Sequence, residues 1–383
     1  MLKYLLVTSG GLESGVIKKA IAQVSGFNSL GLKSELIIIS DQLVPDLSRL
    51  YPFIKIIPLK TLRRKDIFNR LLRAVSIRRS IRDVILSLDR KDLLYHRGLE
   101  FQLSYYPLAF FRTGRRCKIV SEHQSIEIRQ SILYGSYLSA LKDLLTGGFI
   151  TGQTDGIIGV TDEITTYWSG RLFCGKIPHT TIANGFDVGS VPVRTPPAGN
   201  RADIHLLFVG NVSRWHGLDR IVQGIAAYRG KAPIILHIVG EGDELQNLQN
   251  LAKTVAPEAQ IHYHGKRIGQ QMDSFFNECD IAIGSLGLHR QGLSQASSLK
   301  VREYCSRGIP FMMANQDPDF PESFSYCLRA SPIEEPIAME DVVAFVNEMR
   351  KNPRHPERMR AFAEDTIDWK SKIKKTYEFI TAL

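Results

Sequence analysis

Cysteine is scarce in this 383-residue chain: five residues, at positions 117, 174, 279, 305 and 327, odd in number and free of CxxC spacing. Neither a disulfide framework nor a zinc site is indicated, and a reducing cytoplasm is the expected location. No apolar run approaches the roughly 20 residues that cross a bilayer. The opening MLKYLLVTSGG runs straight into a glycine turn and reads as a first strand rather than a signal peptide. Short repeats and low-complexity tracts are absent. No module interleaves basic and aromatic residues as nucleic-acid binders do, so nucleic acid is not an expected partner. Acidic residues run short in one half only. Residues 1–185 carry 26 Lys and Arg against 15 Asp and Glu, whereas residues 186–383 carry 23 against 24. A one-sided basic half suits an anionic membrane surface or an anionic substrate.

What is present is the make-up of a globular protein, 44% hydrophobic and 23% charged, in a chain long enough for two cores. KYLLVTSGG, a segment with helical apolar spacing and then SELIIIS read as strand, glycine turn, helix, strand. Such a βαβ unit implies a parallel sheet. FIKIIPL, DLLYH, CKIVSEH and DGIIGVT continue that grammar to residue 185. A proline- and glycine-rich stretch, residues 186–202, reads as a linker. IHLLFVG, PIILHIVGEG, QIHYHG, DIAIGS and IPFMMA then predict a second parallel α/β domain over 203–355, followed by a helical tail over 356–383.

Doubly wound sheets bind ligands beyond the carboxyl ends of their strands, so those loops carry the candidate chemistry. After LLFV, Gly210-Asn211-Val212-Ser213-Arg214-Trp215-His216-Gly217 opens a helix on which Leu218, Ile221, Val222 and Ile225 share a face. Glycines let a ligand approach the backbone, a helix start favours anions and Arg214 adds a positive fork, so this is a plausible diphosphate seat. Gly240 to Glu244, including Gly242, and Gly265-Lys266-Arg267 follow the next two strands. The densest segment is GLSQASSLKVREYCSRGIP. Ser294 to Ser298 offer amides, Lys300 a cation and Glu303 an acceptor one helical turn on, suited to the paired hydroxyls of a ribose.

At these residues the chain resembles family 4 of the glycosyltransferases. FVGNVSRWHGLDRI is similar to that family's phosphate turn, IVGEGDELQNL to its VGxGxE turn, YHGKR to the strand and turn beside the nucleobase, and SLKVREYCSRGIP to its most diagnostic helix. GGLESGVIKKA resembles the glycine loop of the first domain, IANGFDV the stretch before the linker, and DWKSKIKKTYEFI the terminal helix that crosses back to the first domain. The resemblance implies a GT-B fold: α/β, with two facing Rossmann-like domains. It implies a retaining, metal-independent transferase with no cofactor, using a nucleotide-sugar, UDP- or GDP-linked, and a glycan or lipid-linked acceptor in bacterial surface-polysaccharide synthesis. Carried over, Glu303 would hold the ribose and Arg214 and Lys300 the diphosphate. Gly10 and Gly11 would face the donor from the first domain, joined in the second by Gly210, Asn211, His216, Gly242, Lys266, Gln295, Ser297, Ser298 and Leu299. Two positions depart from the family pattern: Gln295 stands where the first of two glutamates is usual, and His216 where a lysine precedes the glycine.

His123 ends a first-domain strand and is the candidate contact to the reacting sugar, with Glu122 and Glu127 flanking it. His96 and Arg97, at the end of DLLYHR, are candidates for the acceptor side. Asp317-Pro318-Asp319 has the DxD form of a metal–nucleotide grip, but lies too late in the domain for that role to be expected. His262 and His264 share a strand face without a third ligand near in sequence. Over residues 63–82 the arginines 63, 64, 70, 73, 78, 79 and 82 crowd one side of a helical pattern whose seam is Ile67, Leu71, Val75, Ile81, Ile85 and Leu88. A core-packed helix with a solvated basic face is one reading, docking on anionic lipid the other. A non-catalytic sugar-nucleotide binder, and a sugar-phosphate synthase or nucleotide-sugar epimerase, are the competing functional readings.

Overall fold

The computed structural model describes residues 1–8, 15–40, 45–59, 67–97, 106–112, 115–197, 199–267 and 269–383, without side chains at 45, 46 and 67–70. Two compact units result: Met1–Ala183 with Trp369–Leu383, and Asn184–Asp368.

The first unit runs β1 (Leu2–Val7), α1 (Gly15–Ser29), β2 (Ser34–Ser40), α2 (Pro45–Leu50), β3 (Ile54–Pro58), α3 (Ile67–Leu86), β4 (Leu93–Arg97), β5 (Lys118–His123), α4 (Glu127–Leu133), α5 (Tyr137–Thr151), β6 (Gly156–Gly159), α6 (Asp162–Ser169) and β7 (His179–Thr181). Among the described residues its strands form one parallel sheet in the order β3-β2-β1-β4-β5-β6-β7. Helices cover both faces of such a sheet, so strands such as LKYLLV are nearly continuous apolar runs. Leu2, Tyr4 and Leu6 meet Ile17, Val24 and Phe27 of α1 in one core.

The second unit runs β8 (Ile204–Val209), α7 (Leu218–Ala227), β9 (Ile234–Val239), α8 (Leu245–Val255), β10 (Gln260–Gly265), α9 (Asp273–Glu278), β11 (Ile281–Ile283), α10 (Leu299–Arg307), β12 (Phe311–Met313), β13 (Cys327–Arg329), α11 (Met339–Arg350) and α12 (His355–Thr366). Its parallel sheet has the order β10-β9-β8-β11-β12-β13. Leu206 and Phe208 point to the core shared with α7 and α8, and Leu207 to the opposite one shared with α10 and α12. The last helix, α13 (Trp369–Ala382), belongs to the first unit, where Trp369, Ile373 and Ile380 join the core with α1.

Three expectations change. Residues 186–202 are not a free linker: Val188 is in a core of the second unit, and the buried Arg194 guanidinium donates to the carbonyls of Gly308 (3.1 Å) and Cys279 (2.5 Å). The tail does not return as a whole, since α12 packs within the second unit through Met359 and Ala363, and only α13 lies with the first. On α3 the buried seam is Ala74, Ile77, Ile81, Val84 and Ile85, while Leu71 and Val75 are exposed. Helical registers one residue apart are hard to separate when every third or fourth residue is apolar.

Candidate active site

The order of each sheet reverses between its first strand and the strand added on the other side, between β8 and β11 in the second unit. Crevices for ligands open at that point. The β8 turn is stitched to both neighbours. Val212 N–H donates to Glu241 O (2.7 Å), and Leu286 and Gly287 N–H, beyond β11, donate to His216 O (3.0 Å) and Trp215 O (3.1 Å). Gly242 is required here. At φ +156° a side chain is strained, and a Cβ would lie 2.2 Å from Val212 O.

Lys300, on the first turn of α10, reaches back under this turn. A Cβ on Gly210 would sit 3.3 Å from its Nζ, and the ammonium lies 4.0 Å from the centroid of the Phe208 ring and 6.0 Å from that of Trp215. The residue as a whole is partly exposed, but Nζ itself is enclosed and has no hydrogen-bond partner among the described residues. Burial pushes its pKa well below the usual lysine value. A desolvated cation without a counter-ion is costly, and two aromatic faces compensate only in part. An anion seated at the turn would supply what is missing.

His216 is buried against the Trp215 and Phe208 rings. Its Nδ1 accepts the Ser213 N–H (3.2 Å), which leaves the proton on Nε2, enclosed and without a partner. Burial and then the Lys300 charge hold its pKa well below the ordinary value, so it can donate one hydrogen bond but brings no charge. Arg214 is exposed, with its carbonyl accepting from Arg290 (2.7 Å). Arg290, which sequence reasoning did not single out, braces the turn through Asp219 (2.6 Å) and Glu334 (2.6 Å); those hydrogen bonds hold Glu334 at about 2. A cavity of about 260 Å³ opens beside it, between Arg214, Asp219, Glu244 and Asn247. Its carboxylates make it a poor diphosphate seat, and the Lys300 side of the turn is the better one.

The remaining second-unit candidates divide by what already occupies them. Ser297 is buried, its hydroxyl accepting Asn184 N–H (2.7 Å) and its carbonyl Asn184 Nδ2 (2.6 Å), so it anchors the entry to the unit. Gln295 pairs by a backbone bridge with Gln316. Ser298 stands at the N-cap of α10 and Leu299 is its first residue, where helix N–H groups lack intrahelical acceptors. Glu303 is partly exposed and accepts from Arg307 Nε (2.8 Å). Asn211 is exposed and donates to Ser213 Oγ (2.8 Å). Lys266 is exposed just past Gly265, whose carbonyl takes the Gly240 N–H (2.9 Å). Asp317 and Asp319 are both held by the fully buried Arg302, at 2.9 and 2.5 Å, so the DxD serves the core. His264, His237 and His205 form a hydrogen-bonded row ending on Asp203 (3.0, 2.9 and 2.9 Å). Among the described residues no group of three or more His, Cys, Asp or Glu could hold a metal ion.

In the first unit, His96 and His123 lie at the carboxyl ends of the neighbouring strands β4 and β5. His123 stacks on Trp168 (4.3 Å between centroids) with Nε2 3.0 Å from Ser121 Oγ, and burial holds its pKa at about 3. His96 Nδ1 is 3.4 Å from Arg97 O, its Nε2 is enclosed without a partner, and burial holds it at about 4. Both imidazoles are neutral at ordinary pH. Glu127 Oε2 and the Tyr106 hydroxyl are likewise enclosed without partners, and burial raises Glu127 to about 7. Tyr106 was not legible in the sequence as a site residue, since a lone tyrosine there carries no motif. Gly10 and Gly11 lie outside the described residues.

Residues 196–366, nearly the whole second unit, match the family model for glycosyl transferases group 1. That match is to the second unit, so this part of the chain is a group 1 glycosyltransferase domain. The fold of the chain is GT-B, and solved structures of similar fold extend over both units. Sucrose-phosphate synthase from Thermosynechococcus elongatus matches with a TM-score of 0.72 at 12% identity, over 100% of this chain and 99% of that one. Anabaena HepE in complex with UDP-glucose matches with a TM-score of 0.67 at 12% identity, over 100% of each. The pneumococcal O-GlcNAc transferase GtfA in complex with UDP and GlcNAc gives 0.63 at 12% identity, over 100% and 99%. No curated protein sequence matches this one. The enclosed Lys300 ammonium therefore lies in the matched domain, at the strand ends where the sequence resemblance is sharpest.

Proposed function

We propose that this glycosyltransferase moves a sugar, with retention of configuration, from a UDP- or GDP-linked donor to a glycan or lipid-linked acceptor in surface-polysaccharide assembly. The observation that carries this is the enclosed, partnerless Lys300 ammonium beside the glycine turn. Negative charge grows on the leaving diphosphate as the glycosidic bond breaks, and a preorganised cation stabilises it without further rearrangement. Arg214 and the N–H groups at the start of α10 add to that stabilisation. In front-face transfer a diphosphate oxygen takes the acceptor's proton, so no protein base is needed. His96 and His123, held neutral, then serve to orient hydroxyls, and Glu303 to hold the ribose. HepE and GtfA, both bound to uridine nucleotides in their structures, favour UDP as the first donor nucleotide to try.

Thermal-shift screening with UDP and GDP, followed by transfer assays and NMR of the product anomer, tests the reading. Donor turnover with retention supports it, and inversion at the anomeric carbon discards the mechanism. Activity is expected to persist in EDTA, since Arg302 already holds Asp317 and Asp319. Gln295 favours a second reading, a sugar-nucleotide binder without turnover, which binding without any product would support. The exposed Arg78, Arg79 and Arg82 on α3 suit a peripheral position on anionic membrane, although Arg82 also pairs with Asp83.

A further inference from the structure

Helix α5 is inside out. On a surface helix the large apolar residues normally face the core and the polar ones face water. Here the inward residues are Ala140, Asp143, Gly147, Gly148, Ile150 and Thr151, small or polar except for Ile150. Tyr137, Leu138, Leu141, Leu144, Leu145 and Phe149 face out, with Leu138 68% and Leu145 70% exposed. At 100° per residue those six cover an arc of about 140°, the width of a full amphipathic face. The inward face is small because a loop presses on it: a Cβ on Gly148 would lie 2.8 Å from Leu172 O, and Arg171 pairs with the buried Asp143. That loop adds Leu172, 76% exposed, and Phe173, held outward at φ +75° and edge-on to Phe149. The result is one continuous apolar surface, larger than scattered exposed leucines would make.

Charge selects its occupant. Among the described residues from 106 to 180 the exposed ionic side chains are Arg112, Arg116, Lys118, Lys142 and Lys176 against Asp162 alone. A second copy would bring the same cationic surroundings and be repelled, whereas anionic head groups over a hydrocarbon interior match both the cations and the leucines. We propose that the outward face of α5, with Leu172 and Phe173, inserts into the interface of an anionic bilayer. The idea extends the membrane reading of α3 by naming the inserting surface, and it does not depend on the transfer chemistry.

Flotation of the full chain with phosphatidylcholine vesicles, with and without phosphatidylglycerol, tests it. Wild type should float with the anionic vesicles, and Leu141→Glu with Leu145→Glu should reduce the bound fraction at least ~10-fold, since carboxylates on the inserting face are both costly to bury and repelled by the lipid. Both leucines are exposed, so the double variant should keep the wild-type thermal shift with UDP, which certifies the fold. Arg78→Gln with Arg79→Gln supplies the second arm. Loss of binding there with unchanged binding in the leucine variant would overturn the α5 proposal and leave the α3 reading standing. A wild-type dimer by light scattering that the leucine variant splits would also overturn it, assigning the face to self-association.

Discussion

Lys19 of the first unit and Lys300 of the second, each with an enclosed ammonium, have opposite surroundings. Lys19 on α1 sits 2.6 Å from Glu122, whose carboxylate also accepts from Gln23 (2.8 Å) and the Tyr95 hydroxyl (2.6 Å). Burial pushes Glu122 up, but the Lys19 charge and these hydrogen bonds outweigh it and hold the carboxyl at about 2. Lys300 has no such partner, only aromatic faces and a glycine turn. A buried ion pair with its lone pairs and protons satisfied is internal to the fold. A buried cation left without its anion is a deficit that a ligand can fill, and such deficits gather at functional sites. The contrast makes the first lysine part of the fold and supports the proposed donor contact of the second.

The largest expected effect is on stability. Glu122→Gln should lower the unfolding free energy by about 3–5 kcal/mol in urea titrations at pH 7, because it removes the buried carboxylate that pairs with Lys19. Near-neutrality there would erase the distinction between the two lysines. Lys300→Met should do the reverse: the free protein should be as stable as wild type or more so, while UDP affinity by calorimetry should fall by about 1.5–3 kcal/mol, the worth of a hydrogen bond to a charged group. A variant that binds UDP as wild type does would remove Lys300 from the site.

Glu127 sharpens the comparison from the acidic side. Part of it reaches solvent, yet its enclosed Oε2 is unpartnered and burial raises it to about 7. Between the unfolded value near 4.3 and that folded value the unfolded chain holds fewer protons, so stability contributed by this group is lost as pH rises. Glu127→Gln should therefore flatten the decline from pH 5 to 8 and gain about 1–2 kcal/mol at the upper end, allowing for its partial exposure. Identical pH profiles would show the carboxyl to be solvated.

The smallest effect is a proton count. A diphosphate beside Lys300 raises its lowered pKa, so between the free and bound values binding takes up a proton and affinity falls with rising pH, by at most about tenfold per unit. Calorimetry in buffers of different ionisation enthalpy should detect that uptake in wild type and not in Lys300→Met. Uptake that persists in the variant would belong to another group.

Local patterns carried much of this protein on their own. The strand, glycine turn and helix from Ile204 to Ala227 were legible because period-2 and period-3.6 apolar spacing and a left-handed glycine are written within a few residues. The parallel α/β class followed from order along the chain. Only the tertiary structure decided the rest. It placed residues 186–202 in the second unit, since Arg194 must find carbonyls more than eighty residues away. It set the seam of α3 and turned the leucines of α5 outward, because which face is buried depends on what packs there rather than on periodicity. It also separated Lys300 from Lys19, as a lysine's sequence neighbours do not show whether a counter-ion will be folded against it.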